Sequence, residues 1–71
     1  MKVGLSGAGP IGLGVLHETS LHDECDVVAV HDSLPGAAKR LANGSKIGFA
    51  TDRFEELLQY GVDFVVLTGP L

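Results

Sequence analysis

Four apolar residues in a row, Val27-Val28-Ala29-Val30, lie between Asp26 and His31. A strand with one wet face alternates apolar and polar positions, so an unbroken run needs cover on both faces. Helices on both sides of a parallel sheet give that cover. Lys2–Ser6 and Phe64–Leu67 read as further strands, the last again doubly buried, and residues 46–50 as a weaker one.

Three segments between these runs carry helix signals. The first spans about residues 10 to 21 and begins with Pro10, whose missing N–H is harmless in a first turn. Ile11, Val15 and Leu16 predict its buried stripe, with Gly12 and Gly14 leaving room for close backbone approach. The second spans about residues 34 to 42, with Ser33 as N-cap and Asn43-Gly44 as its stop. The third covers about residues 53 to 60. Asp52 and Glu55 there have capping-box spacing, Phe54, Leu57 and Leu58 form an apolar face, and Gly61 ends it.

The element order βαβαβαβ predicts an α/β fold with right-handed crossovers, a partial Rossmann fold. Its four parallel strands are expected in the order 3-2-1-4, with the switch point between strands one and four. At 71 residues the chain falls below the usual domain size of about 100 to 150. It reads as the N-terminal part of a dinucleotide-binding domain, residues 1–71, truncated before its second half and with any substrate domain absent.

The loop after the first strand is Gly7-Ala8-Gly9-Pro10-Ile11-Gly12, a G-x-G-x-x-G. Its place between a strand and a helix is the context in which this spacing binds a pyrophosphate. Gly7 allows the tight turn, Gly9 lets a phosphate approach the backbone, and Gly12 lets the helix pack on the sheet, while free amides at the helix start meet the negative charge. A plain strand-to-helix turn is the alternative. Asp32 lies 20 residues beyond Gly12 at the end of the second strand, where a carboxylate can accept hydrogen bonds from ribose hydroxyls. It would repel a 2′-phosphate, which favours NAD over NADP. Lys39 and Arg40 lie a turn or two along the next helix, and Asp32 could instead cap that helix.

Other residue types exclude other chemistries. Five basic residues face nine acidic ones, net −4, with no basic cluster, so nucleic acid is not an expected partner. No apolar run approaches the roughly 20 residues of a membrane span, and Met1-Lys2-Val3 opens no secretory signal, so a cytoplasmic protein is expected. Cys25 is alone and reads as a small, partly buried hydrophobe. His17 and His22 have no partner at metal-ligand spacing, and no metal site is assigned. His31 could border an adenine. Ser6-Gly7-Ala8-Gly9 is not a nucleophile elbow.

The stretch from Lys2 to Gly12, with Val30-His31-Asp32, resembles the opening of the glucose–fructose oxidoreductase / inositol dehydrogenase (Gfo/Idh/MocA) family. Thr51-Asp52-Arg53-Phe54-Glu55-Glu56-Leu57-Leu58 and Val62-Asp63-Phe64-Val65-Val66-Leu67 are similar to the family's next segments, in order. The resemblance implies hydride transfer between NAD and the CH–OH carbon of a sugar, cyclitol or related metabolite. It adds Thr68, matching the threonine of the family's Ala-Thr-Pro strand end, as a contact near pyrophosphate and ribose. Here that end reads Leu67-Thr68-Gly69-Pro70-Leu71, with Gly69 inserted, and Leu13 stands where the family often has a basic residue. The candidate cofactor contacts are thus Gly7, Gly9, Pro10, Ile11, Gly12, Asp32, Ser33 and Thr68. The family's Glu-Lys-Pro motif and substrate domain come later than Leu71, and neither Lys2, Lys39 nor Lys46 lies in such a motif. No catalytic residue is assigned, and these residues alone are expected to be inactive. Two other readings stay open: part of an aspartate- or homoserine-dehydrogenase-like enzyme, and a non-catalytic nucleotide-binding module able to self-associate through the open edge of its fourth strand.

Overall fold

The structure is a computed structural model and describes residues 1–45 and 47–68. The elements run β1 (Lys2–Ser6), α1 (Pro10–Ser20), β2 (Asp26–His31), α2 (Ala37–Asn43), β3 (Phe49–Thr51), α3 (Phe54–Gln59) and β4 (Phe64–Leu67). All strand pairs are parallel and the sheet order is β3-β2-β1-β4, the order expected of a partial Rossmann fold. β1 lies in the middle, paired to β2 through Leu5↔Val30 and to β4 through Leu5↔Val66.

The unbroken apolar run of β2 is covered from both sides. On one face Leu5 and Val30, both fully buried, meet Ala38 and Leu41 of α2, and Val15 and Leu16 of α1 pack against them. Side chains alternate along a strand, so Gly4 faces the other way from Leu5. There a Cβ on Gly4 would lie 3.1 Å from Leu57 Cδ1, which places α3 directly over β1. Leu57 is itself fully buried.

The structure corrects several local expectations. Ile11 is 68% exposed rather than buried, because Gly12, Val15, Leu16 and Thr19 form the face turned to the sheet and Ile11 lies a quarter turn off it. Gly14 is on the exposed side, with open space around it, so only Gly12 serves close approach. α2 starts at Ala37, three residues late. Pro35 disfavours helical geometry at Leu34, and Gly36 precedes the helix in the left-handed region (φ 83) with no side-chain cap, so Ser33 is not the N-cap.

At α3 the Asp52/Glu55 capping box does not form. Thr51 instead accepts from the amide of Arg53 at 3.0 Å and donates to the Glu56 carboxylate. Leu58 points outward, 55% exposed, leaving Leu57 as the anchor of that helix. β3 is shorter than the apolar stretch around it, and Lys46 lies outside the described residues. β4 forms where expected but is not doubly buried: Phe64 and Leu67 are exposed. It is an edge strand that pairs with β1 alone among the described residues, and only its Val66 packs against the buried cluster. No helix among the described residues is long and apolar enough to cross a membrane.

Candidate functional site

Parallel strands bring their C-terminal ends to one edge of the sheet, and most of the candidate residues meet there. The chain leaves β1 through Gly7, whose φ of 115 is open to glycine and strained for other residues. The Gly7 amide donates to the His31 carbonyl at 2.7 Å, and the Thr68 amide to the Ser6 carbonyl at 2.9 Å. The β1 exit is therefore held from both neighbouring strands. The Thr68 hydroxyl adds a second tie, 3.0 Å from the Ser6 carbonyl and 3.3 Å from that of Gly7. Gly12 closes the turn from the helix side: a Cβ there would lie 1.9 Å from the Gly7 carbonyl oxygen. Glycine at 7 and 12 is required by the fold itself.

Gly9 is a different case. It is the N-cap of α1 with an ordinary φ of −82, and a Cβ on it would meet nothing among the described residues within 4 Å. Pro10 follows at the first helical position, and its own N–H is absent without loss. The amides of Ile11 and Gly12 have no carbonyl one turn back to bind within the helix. No side chain caps this end and no acidic residue sits in the first turn. The positive end of α1 thus faces open space beside Gly9.

Asp32 binds backbone from two directions. Its Oδ2 accepts the Ala8 amide at 2.8 Å, and its Oδ1 the Leu34 amide at 2.8 Å. The Ala8 amide, then the Leu34 amide, hold its carboxyl below the usual carboxylate range; nearby His31 adds to this and partial burial opposes it. Asp32 therefore closes a turn with Leu34 rather than capping α2. Ser33 is exposed beside it and is not drawn onto the glycine loop. His31 is tied inward, its Nδ1 2.9 Å from the Ser6 hydroxyl and its ring edge-on to Phe54 at 5.4 Å.

Ala8, Gly9, Asp32, Leu34 and Arg40 line a hollow of about 460 Å³. That is within the roughly 300 to 1,000 Å³ range of small-molecule pockets. Sequence reasoning missed two of these residues as parts of the site. Ala8 acts through its amide, which no residue type reveals, and Leu34 through a turn hidden by the helix pattern after it. Gly69, Pro70 and Leu71 lie outside the described residues.

The fold is of the Rossmann type, with the glycine loop at the switch point between β1 and β4. No protein-family model matches the chain, and no curated protein does. Solved structures do. The WlbA dehydrogenase from Bordetella pertussis, crystallised in complex with NADH and UDP-GlcNAcA, superposes with a TM-score of 0.87 at 24% identity over 97% of this chain. A protein from Sinorhizobium meliloti assigned as a myo-inositol dehydrogenase superposes with a TM-score of 0.82 at 30% identity over 99% of it. The chain spans 21% of the length of each. The resemblance to the N-terminal Rossmann part of Gfo/Idh/MocA-type dehydrogenases is borne out over nearly its whole length.

Proposed function

We propose that residues 1–71 are the NAD-binding opening of an oxidoreductase that acts on the CH–OH group of a sugar, cyclitol or related metabolite in the cytoplasm. The observation that carries this reading is Gly9. Beyond the modest N-cap preference for glycine over alanine, neither its φ nor any neighbour calls for glycine, and it sits where the uncapped end of α1 meets the hollow beside Asp32. A pyrophosphate pressed against that backbone would supply the missing reason. The amides of Ile11 and Gly12 would face it, with Pro10 setting the first turn and Thr68 holding the loop from β4. The Asp32 carboxylate would accept the ribose hydroxyls through its remaining lone pairs, and Ser33 would lie alongside. The NADH bound to the WlbA dehydrogenase supports the cofactor class. The acid/base group and the substrate pocket would come from further chain, which fits this chain's spanning only 21% of the length of each structural relative.

The test is a fluorescence titration of the full-length protein with NADH, followed by assay of NAD reduction with sugars and cyclitols. Saturable NADH binding together with reduction of NAD by one of those substrates is expected. Binding without turnover on any of them would favour a non-catalytic nucleotide-binding module. Absence of NADH binding by the folded protein would overturn the reading.

A further inference from the structure

Asp32 is bound to the glycine loop by a direct hydrogen bond, its Oδ2 accepting the Ala8 amide at 2.8 Å. The Ala8 amide that it holds belongs to the second residue of G-x-G-x-x-G, 24 residues away in sequence. Its other oxygen is anchored by Leu34 in the following turn, so the carboxylate is a fixed post rather than a free rotor. The strand end beneath it is fixed too, since the Asp32 amide donates to the Thr51 carbonyl at 3.2 Å and the His31 carbonyl accepts the Gly7 amide. Between Gly7, pinned to β2, and Gly9, the start of α1, Ala8 is the residue whose peptide orientation is set by Asp32.

We propose that Asp32 is a positioning residue for the phosphate loop, shaping it for a pyrophosphate through Ala8 in addition to any contact with a ribose. This rests on the dinucleotide reading above and separates two roles that one carboxylate can hold. The two roles predict opposite signs for a ligand that has phosphates and no ribose. By charge alone, removing a carboxylate beside the loop strengthens the binding of an anion. If the carboxylate shapes the loop, its removal weakens that binding despite the charge, because the loop amides must then be ordered by the ligand itself.

Inorganic pyrophosphate is the probe, titrated calorimetrically into full-length wild-type protein, Asp32→Ala and Asp32→Asn at fixed pH and ionic strength. Asp32→Ala is expected to bind it about tenfold more weakly, a loss of the size a charge-assisted hydrogen bond accounts for. Asp32→Asn, whose single amide oxygen can accept one of the two backbone amides, is expected to fall between, and it decides the matter if the alanine variant does not fold. Equal or tighter pyrophosphate binding by a folded variant overturns the proposal. Should the wild type bind neither pyrophosphate nor NADH, the cofactor reading fails on its own. Wherever the wild type binds no pyrophosphate, with or without NADH binding, the loop role is decided by hydrogen exchange at the Ala8 amide in the unliganded protein. Exchange about tenfold faster in Asp32→Ala, or in Asp32→Asn where the Leu34 amide stays protected, upholds it, and an unchanged Ala8 rate in either of these cases overturns it.

Discussion

A Cβ on Gly12 would begin 1.9 Å from the carbonyl oxygen of Gly7, so the first turn of α1 rests directly on the turn that leaves β1. Neither partner can give way cheaply. The oxygen is backbone, and Gly7 is held by the His31 carbonyl on one side and approached by the Thr68 hydroxyl on the other. Gly12→Ala is therefore expected to destabilise the fold by about 3 kcal/mol or more, at the upper end of overpacking costs. The control is Gly14→Ala on the same helix, which has open space around it. It should be neutral or stabilising by up to about 1 kcal/mol, because alanine is the better helix former. Urea unfolding of both variants checks the pair, and similar losses at the two positions would contradict the packing argument.

Gly9→Ala separates folding from binding. Its added methyl meets nothing among the described residues, and alanine at an N-cap costs about 1 kcal/mol at most relative to glycine here. If a pyrophosphate lies against that backbone, the same methyl should weaken NADH binding by about tenfold or more. Titration and unfolding are run on the same preparation. Unchanged NADH affinity in a folded Gly9→Ala protein would remove Gly9 from the site.

The large features of this fold are legible because they depend on patterns several residues long. The unbroken run of β2 requires cover on two faces, and α2 and α3 supply it. The parallel pairing follows from the alternation of strands and helices. What stays hidden depends on single polar groups. Ser33, Asp52 and Glu55 have the right types and spacings for caps, yet Gly36 precedes α2 and Thr51 serves α3. The contact of Thr68 with Ser6 spans 62 residues, and no local pattern can announce a pair so far apart. The family resemblance was what singled out Thr68. The exposure of Phe64 and Leu67 was equally hidden, since an apolar run shows only that cover is wanted.

Thr51 gives that lesson a measurable form. It is buried, with 8% exposure, and its hydroxyl joins the Arg53 amide to the Glu56 carboxylate at the start of α3. Thr51→Ala leaves the Arg53 amide without this partner and should cost about 1 to 2 kcal/mol, the cost of an amide left unpaired. Asp52→Ala and Glu55→Ala should each change stability by less than about 0.5 kcal/mol, as surface substitutions do. Thermal unfolding of the three variants ranks them, and a larger loss at Asp52 than at Thr51 would restore the capping box.

Cofactor preference should follow the charge of Asp32. In the full-length protein Asp32→Ala removes an acceptor for the ribose hydroxyls and also removes the repulsion felt by a 2′-phosphate. Both cofactors lose whatever loop order Ala8 provides, but only NADP recovers part of the loss. The ratio of NADH to NADPH affinity is expected to fall by about tenfold, read from paired titrations. Equal losses for the two cofactors would end the ribose-reading role and leave the loop role standing.

The acid limit of stability tests the same carboxylate without any ligand. Its folded pKa is lowered, first by the Ala8 amide and then by the Leu34 amide. A group of this kind binds fewer protons folded than unfolded near its titration. Its stabilisation is thus fully present above the unfolded value of about 3.9 and is lost as the pH falls through the folded one. Asp32→Asn keeps the side-chain size, cannot ionise and can accept only one of the two amides. Wild type should exceed it in stability by a constant margin from pH 7 down to about pH 5. That margin should shrink below about pH 4, as the wild-type carboxylate takes up its proton. Urea midpoints for both proteins across this range give the curve directly. A margin that persists unchanged at the lowest pH would mean the variant loses packing rather than charge, and the two backbone amides would not be what holds Asp32 ionised.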